Sequence, residues 1–192
     1  MEVLCIDLRM DGGKMNCWKT INLSKDVGSH RMIFISMLTM VFVFILTYLP
    51  INLLLPKDHL NDEHFLLFVL LLISMIPIHK LLHAFPLILS GCRVSLKIKC
   101  YYMLPILQIR TCHGINKRTM ILSLLSPFLI CTSVFLFCSP YFPAYVHYLC
   151  IALAFQIGLC VPDFIFIKHI ISAPKTCFIE EFEDGYEVLV EK

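Results

Sequence analysis

Four long apolar runs dominate the chain, approximately Met32–Leu55, Phe65–Leu89, Met120–Phe137 and Ala144–Ile171. Each is near or above the ~20 residues that a helix rising ~1.5 Å per residue needs to cross hydrocarbon. The pattern predicts an all-α integral membrane bundle of about four transmembrane helices. Between the second and third runs the pattern changes. In Arg93-Val94-Ser95-Leu96-Lys97-Ile98-Lys99 apolar and polar residues alternate, the period of a half-buried strand. Tyr101 to Pro105 can turn the chain, and Ile106 to Arg110 can form a second strand. A small β-hairpin at the membrane surface is favoured there over a basic surface helix or an irregular loop.

Composition agrees with lipid as the main solvent. Apolar residues make up 58% of the chain and charged ones 16%, against roughly 45–50% and 25% in soluble domains. A length of 192 residues accommodates one helical bundle and little else. The first run has no small-residue cleavage site after it and is too long for a signal-peptide core, so it reads as a retained span. Gly12-Gly13-Lys14 ahead of Met15 are residues that a purine-rich ribosome-binding sequence could encode, which raises the alternative that translation begins at Met15 rather than Met1.

Basic residues set the orientation. Arg9, Lys14, Lys19, Lys25 and Arg31 precede the first span, and Arg93, Lys97, Lys99, Arg110, Lys117 and Arg118 lie between the second and third. The other two connections hold only Lys57. By the positive-inside rule both termini and the hairpin face the cytoplasm of a multi-pass protein of the cell membrane. The resulting layout is a cytoplasmic segment over 1–31, a transmembrane domain over 32–171 and an acidic cytoplasmic tail over 172–192, expected to be solvated and without chemistry. The net charge of +2 gives no indication of a nucleic-acid partner. The ten cysteines form no C-x-x-C pair, and Cys131, Cys138, Cys150 and Cys160 lie in apolar stretches, so reduced, structural thiols are expected.

Candidate chemistry centres on His79 and His83 in the second span. Residues four apart share one helix face, so both imidazoles can reach a single ion. A third protein ligand would make a zinc site with one open position. Asp163 is the candidate, because an ionised carboxylate flanked by apolar residues is costly unless paired or metal-bound. Counted along their helices, His79 lies roughly 21 Å down the second span and Asp163 roughly 23–29 Å down the fourth. Both depths fall in the cytoplasmic third of the bilayer. Pro77 and Pro86 bracket the histidines and Pro162 precedes Asp163; each frees a backbone carbonyl that something nearby must satisfy. The alternative is purely structural: the histidines hydrogen-bond across the bundle, and Asp163 pairs with Lys80 or Lys168.

Taken in order, these motifs resemble the site-2 class of intramembrane zinc metalloproteases, and more closely a bacterial membrane family of zincin peptidases. The resemblance runs from about Met15 to Tyr186. His79-Lys80-Leu81-Leu82-His83 resembles the His-Glu-x-x-His helix, Ser126-Pro127 is similar to the small-residue-Pro motif of the next helix, and Pro162-Asp163 to the motif supplying the third ligand. The resemblance implies zinc held by His79, His83 and Asp163, and a hairpin that holds an unwound transmembrane or membrane-proximal peptide by strand addition. It departs at Lys80, which occupies the position of the general-base glutamate. The function expected is a zinc-dependent peptidase of doubtful catalysis. The alternatives are a non-catalytic pseudoprotease that binds membrane partners, or a structural membrane protein without metal. A transporter fits less well, since no internal repeat is present.

Overall fold

The computed structural model describes residues 15–22, 24–54, 63–92, 94–101, 104–111, 114–174, 176–182 and 185–191. The choice between Met1 and Met15 as the start, the connection carrying Lys57, Arg93 and the turn at 102–103 lie outside the described residues.

Four helical segments, each long and apolar enough to cross a membrane, occupy the four apolar runs. The first is α1 (Ser29–Leu54), the second α2 (Phe65–Leu89) and the third α3 (Lys117–Cys138). The fourth is divided into α4 (Val146–Leu159) and α5 (Val161–Ile171). Side chains such as Phe34, Leu38 and Phe42 on α1, and Leu66, Leu70 and Ile73 on α2, are exposed, a surface suited to hydrocarbon and not to water. Hydroxyls inside these helices turn back on their own backbone. Thr39 and Thr47 donate to the carbonyls of Ile35 and Val43, both at 2.8 Å, and Ser74 donates to Leu71 at 2.7 Å. No polar group of theirs is then presented to lipid.

The expected hairpin is present. Strands β2 (Val94–Tyr101) and β3 (Leu104–Thr111) pair antiparallel, with Leu96 opposite Ile109 and Ile98 opposite Leu107. The chain enters it through Gly91, whose φ of 75° is costly for a residue with a Cβ. The amides of Cys92 and Gly91 reach back to the carbonyls of Leu87 and Ile88, both at 3.0 Å, closing α2 as a Schellman cap.

A second sheet was not anticipated. Strands β1 (Met15–Ile21), β4 (Ile115–Asn116), β5 (Cys177–Phe182) and β6 (Gly185–Glu191) form an antiparallel sheet in the order β1-β6-β5-β4. The C-terminal stretch, expected from its carboxylates to be a solvated tail, thus forms two strands and brings the N-terminal segment alongside it. Its inward positions are apolar at every second residue. Cys177, Ile179 and Val188 are buried, with Tyr186 and Val190 packed beside them.

The main apolar core sits where this sheet meets the helix ends. Ile21, Ile115, Ile179 and Val188 of the sheet pack on Leu87, Met120, Leu124, Phe166, Ile167 and Ile170 of the helices. Lys117 fixes the junction. Its Nζ donates to the carbonyls of Ile171 (3.0 Å) and Ala173 (2.6 Å), placing a cation at the negative end of α5. Cys17, Cys92, Cys131, Cys138, Cys150, Cys160 and Cys177 are free thiols.

Helix α1 packs mainly on α4, and Gly158 lets them approach closely. A Cβ at that position would overlap the Met40 side chain at Cγ. Gly158→Val should therefore loosen α1 from the bundle at a cost of about 1–3 kcal/mol. Thermal unfolding in detergent measures the loss, and Met40→Ala in the same chain should recover part of it.

Candidate metal centre

A helix of period 3.6 puts His79 and His83 one turn apart on one face of α2. Their rings meet edge to face, with centroids 4.9 Å apart and planes at 84°, and the two Nε2 atoms are 3.2 Å from each other. Asp163 meets them from α5, with Oδ2 3.1 Å from His79 Nε2 and 3.5 Å from His83 Nε2. The structure thus brings together the three residues singled out in the sequence. One donor atom from each lies within 4.8 Å of the others, a group able to hold a metal ion. Among the described residues the ion-pair partners of Asp163 are these histidines; neither Lys80 nor Lys168 takes that place. Lys80 is exposed, whereas His79 is 5% exposed and buried in the bundle.

Pro162 explains how Asp163 reaches the histidines. With no N–H it cannot continue the hydrogen-bond ladder of α4, so the helix breaks at Cys160 and restarts as α5 with Pro162 and Asp163 in its first turn. Proline is harmless there, where amides have no helical partner anyway. The carboxylate gains the positive end of a helix that an unbroken span would not offer.

Two other prolines supply acceptors. Pro127 cannot donate to the Ser123 carbonyl four residues earlier, and His83 Nδ1–H takes that vacancy at 2.9 Å. Neutral His83 is thereby fixed as the Nδ1–H tautomer, leaving the lone pair of Nε2 facing Asp163 and His79. Pro86 likewise deprives the Leu82 carbonyl of its helical donor, and Ser126 Oγ–H supplies one from α3 at 2.6 Å. Ser123 Oγ–H donates to the His83 carbonyl, also at 2.6 Å. The α2–α3 interface is thus stitched by hydroxyl and imidazole donors to main-chain carbonyls.

Sequence reasoning missed two members of the site. Ser123 was not singled out, although its position four residues before Pro127 marks its carbonyl as available. Gln156 on α4 was not noticed either. It is fully buried, with Nε2 3.1 Å from His79 Nδ1 and 3.3 Å from the Pro127 carbonyl. Its signal was a lone amide in the apolar run Ala152 to Leu159.

Fold and site define a class: an apolar helical bundle with two histidines of one helix and an aspartate of another converging inside it. The chain belongs to the family described as "putative zincin peptidase", whose model matches residues 72–178, more than half of the 192 residues and including all three converging side chains. No curated protein and no solved structure matches the chain.

The pairing of Pro86 with Ser126 is directly testable. Ser126→Ala should leave the Leu82 carbonyl unsatisfied and cost about 1–3 kcal/mol. In a Pro86→Ala background, where position 86 supplies the N–H, most of that cost should disappear. A double-mutant cycle on unfolding midpoints reads the coupling.

Proposed function

We propose that this chain is a membrane protein that holds one zinc ion on His79, His83 and Asp163 and, with Lys80 at the base position, has at most slow peptidase activity. The observation that carries the reading is the convergence of the three donor atoms. Their separations of 3.1, 3.2 and 3.5 Å fit the roughly 3.3 Å edge of a tetrahedron with metal–ligand bonds of about 2.0–2.1 Å. Two neutral imidazoles and one carboxylate are also a donor set that zinc accepts, with a fourth position left for water or substrate. Membership of a zincin peptidase family supports the same ion, and the order of motifs keeps the similarity to site-2 proteases.

Bound there, zinc would supply Lewis acidity toward a peptide carbonyl and activate a water. The protein's own contribution is orientation. Ser123 holds His83 through its carbonyl, the break at Cys160 aims Asp163 inward, and the bundle excludes competing solvent. Lys80 is exposed, and among the described residues no second carboxylate joins Asp163 in the cluster to take and return the proton. General acid–base help is worth roughly 10²–10⁴ in rate. We place both termini and the hairpin on the cytoplasmic side, from the charge pattern, with β2 or β3 offering an edge to a membrane peptide.

Lys80 favours a second reading, a non-catalytic relative that binds or shields membrane partners through the same hairpin.

Purified protein should carry one equivalent of zinc, lost in His79→Ala and Asp163→Ala; a well-folded preparation that takes up no metal refutes the site. Lys80→Glu should raise cleavage of transmembrane substrates by roughly 10²–10⁴ if the base alone is missing. Wild-type cleavage already abolished by chelation would reject the non-catalytic reading.

A further inference from the structure

The two histidines are held in opposite tautomers. His83 Nδ1 faces a carbonyl, Ser123 O at 2.9 Å, so it carries the proton and Nε2 is bare. His79 Nδ1 faces instead the Nε2 of Gln156 at 3.1 Å. An amide NH₂ is a donor only, so His79 Nδ1 must accept and the ring proton sits on His79 Nε2, pointing at Asp163 Oδ2 3.1 Å away. In that state His83 is ready to bind a metal ion and His79 is not.

Gln156 carries a second unusual feature. The residue is fully buried, yet its Oε1 has no hydrogen-bond partner among the described residues, an omission that ordinarily costs about 1–3 kcal/mol. Its Nε2, by contrast, has three neighbours: His79 Nδ1, the Pro127 carbonyl at 3.3 Å and Cys160 Sγ at 3.8 Å. A histidine that ligates through Nε2 keeps its proton on Nδ1 and needs an acceptor there. The idle Oε1 is such an acceptor, and it is brought to Nδ1 by turning the amide over.

We infer that Gln156 is a positioning residue that sets the tautomer of His79, donating to Nδ1 in the metal-free protein and inverting its amide to accept from Nδ1–H when a metal ion is loaded. The imidazole stays neutral throughout; one proton leaves Nε2 and one is taken up at Nδ1. Inversion gives up the Nε2 contact with the Pro127 carbonyl, which holds the amide in the metal-free orientation until an ion is bound. Glutamine suits this role because donor and acceptor are nearly superimposable on one flat group. The loading half of this inference rests on the zinc site proposed above; the metal-free half does not.

Nitrogen NMR of the full chain with labelled histidine, in bilayers and with chelator, tests the metal-free half. The His79 signals, identified by their loss in His79→Ala, should show protonation on Nε2 and move to Nδ1 protonation on adding zinc. A proton on Nδ1 in the chelated wild type overturns the inference while leaving the zinc site standing. Zinc affinity from chelator competition tests the loading half. Gln156→Glu, a fixed acceptor, should bind at least as tightly as wild type and roughly 10–100-fold tighter than Gln156→Leu. Equal affinity of all three overturns the inference alone. A wild type that shows Nε2 protonation but takes up no zinc overturns the zinc reading and, with it, the inversion.

Discussion

A polar group inside an apolar bundle must find its partner within the bundle, because no water or lipid headgroup is there to serve it. The rest of this structure depends on how that demand is met between α2 and α3. Pro86 and Pro127 each remove one donor and so expose one carbonyl, and a side chain of the neighbouring helix answers it. Pro127 exposes Ser123 O to His83, and Pro86 exposes Leu82 O to Ser126. At these two carbonyls the side-chain donor takes the place of a missing helical N–H. Because one of the answering donors is a ring nitrogen of His83, the same bond that joins the helices also orients a candidate ligand.

The position of the apolar core follows from the same solvent. Between spans there is little hydrophobic gain, since lipid tails are as apolar as leucine, so the helices meet through close contacts such as Gly158 with Met40. The main cluster of buried apolar side chains lies at the helix ends. There the four-stranded sheet covers Leu87, Met120 and Ile170, and Lys117 ties the start of α3 to the end of α5. The His79–His83–Asp163 cluster therefore lies between a lipid-type interior and a protein-type core, in a bundle held at one end by the sheet.

Much of this was legible in the sequence because its signals were local. Apolar runs mark α1 to α5, the alternation after Gly91 marks β2 and β3, and the spacing of His79 and His83 states its own geometry. The meeting with Asp163 was expected from a carboxylate in an apolar stretch, from its depth and from the order of motifs. The second sheet was hidden because its alternation is short and overlaid by charge; Glu180 and Glu187 face each other across β5 and β6 while Ile179 and Val188 pair inward. Strand β1 lay too far from β6 in sequence for any local pattern to connect them. Gln156 was only half legible. A lone amide in an apolar helix signals a polar partner, but only the packing shows that the partner is His79 Nδ1.

On the reading proposed above, Lys80 separates metal binding from peptide hydrolysis. The features that orient the candidate ligands are Ser123 with Pro127, the helix break before Pro162, and Gln156, and none of them involves position 80. A substitution there can remove the proton-transfer group without disturbing the donors that face the ion. Membership of the family and convergence of His79, His83 and Asp163 are therefore compatible with the slow or absent hydrolysis proposed above. Metal binding and peptide hydrolysis are distinct physical demands, one met by fixed lone pairs and the other by a mobile proton. In the interior of this bundle three candidate donors are close enough to meet the first.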